Sequence, residues 1–144
     1  MGEHKSAFWL AILNVFSVIF FIILVIAMNV LGMAISNPLL ARAIMFINEN
    51  FLLLLASGIF VGIGDVCIAL FFPLSLPGPL IRAIGSALFT MVIMRVFWLM
   101  DEILKISAFE FLHNWAILIC VAVFVLATIF GYFKLLLGFA TGHK

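Results

Sequence analysis

Asp65 stands in the run GIFVGIGDVC, residues 58–67, which is glycine-rich and otherwise apolar. A carboxylate in such surroundings either pairs with a cation or carries a task such as ion or proton transfer. Two cations sit in similar company: Lys134 in IFGYFKLLLGF and Arg95 in FTMVIMRVFWLMDEIL. Two amides, Asn14 and Asn29, interrupt a third apolar run. Nucleophilic or metal chemistry has less to work with. His4, His113 and His143 all lie near chain ends or between apolar runs, so no two can ligate a metal or haem from facing helices. Neither GxSxG nor HExxH occurs, and Cys67 and Cys120 form no CxxC pair. The expectation is no catalytic residue, no metal and no cofactor. Glu49, Asp101, Glu102 and Glu110 read as one acidic face.

Composition sets the solvent around these groups. Hydrophobic residues make up 68% and charged residues 9% of the 144, and the mean hydropathy is +1.45. A soluble domain is about half apolar and about a quarter charged. No soluble core of this length hides so much apolar side chain. One integral membrane domain covering residues 1–144 is predicted, in contact with a lipid bilayer. A net charge of +1 gives no electrostatic case for nucleic acid.

The elements that must position these side chains are four apolar blocks, at about 7–35, 51–72, 79–100 and 115–138. Each reaches the roughly 20 residues that a helix needs to cross a bilayer. Helices satisfy their own backbone groups in lipid, so the fold class is all-α, with four transmembrane helices in a small antiparallel bundle. The first block is about twice as long as the apolar core of a signal peptide and lacks a small-x-small cleavage pattern, so it reads as a retained span. The separator PLSLPGP holds three prolines and a glycine and predicts a tight turn. The separator SNPLLARAIMFINEN places Leu39, Leu40, Ala43, Ile44 and Ile47 on one helical face, away from Arg42 and Glu49, and predicts an interfacial helix.

Four spans put both termini on one side. That side carries Lys5, Arg82, Lys134 and Lys144, and the other carries Arg42 and Lys105. The bias predicts cytoplasmic termini, with Trp9 and Tyr132 at the inner level and Trp98 and Trp115 at the outer. Asp65 precedes Pro73 by eight residues, about 12 Å from the end of a helix that reaches the turn. A charge at that depth costs on the order of 3 kcal/mol. Gly58, Gly62, Asp65 and Ala69 share one face, and Gly58-x-x-x-Gly62 admits a neighbouring backbone. The fourth block offers a stripe of Ala116, Cys120, Ala127, Gly131, Lys134 and Gly138. Lys134 is also about 12 Å from a helix end, so an Asp65–Lys134 pair is expected, direct or through water. The alternatives are a Lys134 that snorkels to the headgroups and an Asp65 that faces a subunit.

Arg95, Trp98 and Glu102 share a face of the third span, and Arg95 is expected to reach Asp101 or Glu102 or a partner chain. Lys105, four residues past Asp101, is placed for a local ion pair. Asn14, Asn29, Gly32 and Ser36, with Ser17 close by, form a polar seam on the first span, within the bundle or against another chain.

The stretch ARAIMFINENFLLLL, with Arg42, Asn48 and Glu49 ahead of the second span, resembles the MAPEG family of membrane glutathione and eicosanoid enzymes. The resemblance covers about fifteen residues. It departs from the family in spacing and in the missing later arginines, and it implies an enzyme only as the third of three readings. The first reading is a small non-catalytic membrane subunit that packs onto and stabilises a larger membrane protein complex. The second is a homo-oligomeric ion or small-molecule channel or transporter that uses Asp65 and Lys134.

Overall fold

A computed structural model describes residues 3–70, 72–104 and 110–140. Lipid offers the backbone no hydrogen-bond partner, and the apolar runs accordingly close their own amide ladders. The helices are α1 (Glu3–Ala34), α2 (Pro38–Glu49), α3 (Phe51–Ile68), α4 (Gly78–Leu104) and α5 (Glu110–Ala140), with no strand among the described residues. All but α2 are long and apolar enough to cross a membrane. The protein is an all-α, multi-pass integral membrane protein with four antiparallel spans. Lys105 and its expected pairing lie outside the described residues.

The breaks follow local chemistry. Pro38 opens α2, where its missing N–H costs nothing. The Asn37 side chain accepts from the Leu39 and Leu40 amides at 2.9 and 3.3 Å and caps the helix. At twelve residues α2 is about 18 Å long and cannot span. Its Ile44 is buried against Gly32 of α1. Asn50 alone separates α2 from α3. The prolines at 73 and 77 fall in the turn that joins α3 to α4.

The helices pack as an open row. α4 lies between α3 and α5, α1 leans on α3, and α5 has no comparable contact with α1 or α3 among the described residues. The α3/α4 seam is the tightest, because glycines let the two backbones meet. A β-carbon on Gly85 would stand 2.7 Å from the Val61 nitrogen and 2.8 Å from the Ser57 carbonyl oxygen. One on Gly64 would stand 2.6 Å from the Arg82 nitrogen. Gly131 brings α5 onto α4, where its β-carbon would lie 2.8 Å from Pro79 Cβ. α1 meets α3 through the parallel rings of Phe21 and Phe51, 5.9 Å apart, and through Asn14, whose amide fills the space a β-carbon on Gly62 would take.

The open row leaves much surface uncovered. The chain exposes 9834 Å², whereas a compact soluble monomer of this mass exposes about 7,400 Å². Exposed Phe, Ile, Leu and Val are numerous on α1 and α5, the two edge helices. This is the surface expected of a chain solvated by lipid.

Candidate functional site

Charged and amide side chains gather at two levels. At the level nearer the termini, Asp65 pairs with Arg82, with Oδ1 3.2 Å from Nη1. Asp65 is three residues before the end of α3 and Arg82 four residues into α4, so the antiparallel hairpin sets them side by side. The close passage of Gly64 over the Arg82 backbone holds that register.

This corrects two expectations. α3 ends at Ile68 and does not reach the turn prolines, so Asp65 is about 4.5 Å from the helix end and not about 12 Å. Its partner is Arg82 and not Lys134. The reason is the row: α4 stands between α3 and α5. Gly131 already sits level with Pro79, in the first turn of α4, so Lys134 lies about one turn beyond Pro79, towards the start of α4. Tyr132 fixes that placement by donating its hydroxyl to the Leu76 carbonyl at 3.0 Å. The Lys134 side chain is exposed.

The glycines of the expected contact face divide. Gly62 is buried against Asn14 of α1. A β-carbon on Gly58 would meet nothing within 4 Å. Gly58 borders a groove of about 400 Å³ between α1, α3 and α4, which Asn14, Ser17, Ser57 and Asp65 also line. The Ser57 hydroxyl is engaged by the Leu54 carbonyl at 2.8 Å, and Ser17 is exposed.

At the far level, Arg95 donates to the Asn50 side-chain oxygen at 2.7 Å. Glu102, one of its expected partners, pairs with Arg42 of α2 instead. Asp101 takes no ion pair among the described residues. Glu102 lies two turns, about 10.5 Å, along α4 from Arg95, and Asn50 stands directly across the hairpin from Arg95. Asn50 is only 2% exposed and also donates to the Phe46 carbonyl at 2.9 Å. Its buried amide is therefore used at both ends. Sequence reading missed Asn50 because it falls in a polar separator. The two levels lie about 20–23 Å apart along α3 and α4, with Asp65 near the C-terminal end of α3 and Asn50 just ahead of its first residue.

The polar residues of α1 serve two neighbours. Asn14 goes to α3. Asn29 exchanges reciprocal amide bonds with Asn48 of α2, at 3.0 and 2.8 Å, and also donates to the Val25 carbonyl at 2.8 Å. Asn29→Leu and Asn48→Leu are each expected to lower stability by about 1 kcal/mol. The double variant should lose clearly less than both losses added, because one orphaned amide costs more than none. Thermal unfolding of all four proteins in detergent measures this, and strict additivity would refute a coupled pair.

No group of three or more His, Cys, Asp or Glu side chains among the described residues is placed to hold a metal ion. The site is thus two belts of helix-to-helix polar contacts, with a groove beside Gly58 open to the side. Comparison with known protein families, characterised proteins and solved structures finds no match to this chain.

Proposed function

We propose that the chain is a small non-catalytic membrane subunit that packs onto and stabilises a larger membrane protein complex. The observation that carries this reading is the groove beside Gly58. Asn14, Ser17 and Asp65 line it within or at the edge of the spans, where polar groups against lipid are unfavourable. Gly58 leaves room for another backbone to approach closely. A helix from a neighbouring polypeptide suits both features. Asp65 and Arg82 already pair inside the chain, which supports packing as their task rather than catalysis. The excess of Lys and Arg beside the termini supports their placement in the cytoplasm.

The test is purification from native membranes in mild detergent, followed by mass analysis of what remains bound. The expected result is a fixed set of larger subunits in constant ratio, released by Gly58→Leu while the chain itself stays folded. A pure symmetric oligomer whose ion flux is lost in Asp65→Asn would instead establish the channel or transporter reading.

A further inference from the structure

At the far level, a cleft of about 450 Å³ is lined by residues of α2, α4 and α5 together with Asn50. Three features of it belong together. Arg95 is held there by the buried Asn50, which occupies one of the five guanidinium N–H donors. Glu49 lines the same cleft, yet no ion pair joins it to Arg95 among the described residues. Met91, Met94 and Ile117 supply apolar wall, with Trp98 beside the charges.

A cation and an anion kept apart in one apolar cleft match a head that carries both charges. The level also fits. Asn50 immediately precedes α3, so Arg95 sits where that span begins and lipid headgroups lie. The volume lies in the ordinary range for ligand sites, about 300–1,000 Å³. We propose that this cleft binds an aminophospholipid. The phosphate takes the remaining N–H donors of Arg95, the primary ammonium faces Glu49, and an acyl chain follows Met91, Met94 and Ile117. A bare phosphate or an acidic side chain would use Arg95 alone and be repelled by Glu49. The pairing of the two charges therefore favours the zwitterion. This inference is independent of the subunit reading, since lipid occupies the cleft whether or not a partner fills the groove beside Gly58.

The full chain, delipidated in detergent, is titrated with phosphatidylethanolamine and with phosphatidylglycerol of the same chains, and retained adducts are counted by native mass spectrometry. Phosphatidylethanolamine is expected to bind about tenfold more tightly, the scale of one charge-assisted hydrogen bond. Glu49→Gln should erase that preference. Arg95→Gln should weaken both lipids by about tenfold or more. Because Arg95→Gln also strips a partner from buried Asn50, the exposed and isosteric Glu49→Gln carries the decision. Equal retention of the two lipids by the unmodified chain overturns the proposal, as does a preference that survives Glu49→Gln. Inorganic phosphate that displaces the lipid at equal concentration would mark a plain anion site, and glycerophosphoethanolamine that does so would show that no acyl chain is held; either overturns the proposal.

Discussion

Gly85→Ala is expected to destabilise the α3/α4 hairpin by about 1–3 kcal/mol, and Gly85→Leu by more, while the same changes at Gly58 leave it intact. The two positions look alike in sequence, each a glycine within an apolar span. Their surroundings differ. The new β-carbon at 85 would meet the Val61 nitrogen at 2.7 Å and the Ser57 carbonyl at 2.8 Å, and both belong to helix backbone that cannot swing aside. Relief requires α4 to move off α3, and that movement also opens the contacts at Gly64 and Gly78, which lie on the same seam. At 58 nothing stands within 4 Å. Denaturation of the purified protein by titrated SDS in mixed micelles, followed by circular dichroism, reads the difference. A Gly85→Ala protein as resistant as Gly58→Ala would show that the backbones do not meet there.

The four spans and the turn between α3 and α4 were legible because hydropathy and proline placement fix them directly. That Asp65 faces another helix was legible too, from its glycine neighbours. Which helix was not. Small-residue stripes on the second and fourth spans make an attractive match, but a stripe says only that something comes close. The hairpin itself holds a better guide. A tight turn centred near Pro73 brings residues equidistant from it to one level: Ile68 beside Gly78, Gly64 beside Arg82, Val61 beside Gly85. Asp65 with Arg82 and Asn50 with Arg95 obey the same symmetry almost to the residue. Distance from the turn thus ranks partners that composition leaves equal. The contacts of α1 had no such ruler. Its link to α3 runs through α2, so no single turn sets the register of Asn14 against Gly62.

Removing either member of the Asp65–Arg82 pair is expected to cost about 1–2 kcal/mol, and removing both to cost much less. A fully buried pair that loses one partner is destabilised by about 3–5 kcal/mol. Here the side chains are 39% and 50% exposed within the chain, and the pair lies near a helix end, so the loss falls below that range. The penalty in Asp65→Leu is the orphaned guanidinium in an apolar setting, and in Arg82→Leu the orphaned carboxylate. In Asp65→Leu/Arg82→Leu neither charge remains, and leucine on both helices suits lipid at least as well. The double variant should therefore be nearly as stable as the original, so the coupling is close to the sum of the two single losses, about 2–4 kcal/mol. Lys134→Met should be close to neutral in either background, because its side chain is exposed and Asp65 pairs with Arg82 instead. Strict additivity of the Leu variants, or coupling of Asp65 to Lys134 instead of Arg82, would show that Asp65 and Arg82 do not interact. A double variant that keeps its fold but no longer copurifies with partner subunits would separate the two roles. The charges would then be dispensable for the hairpin and needed by the groove that Asp65 shares with Asn14 and Gly58.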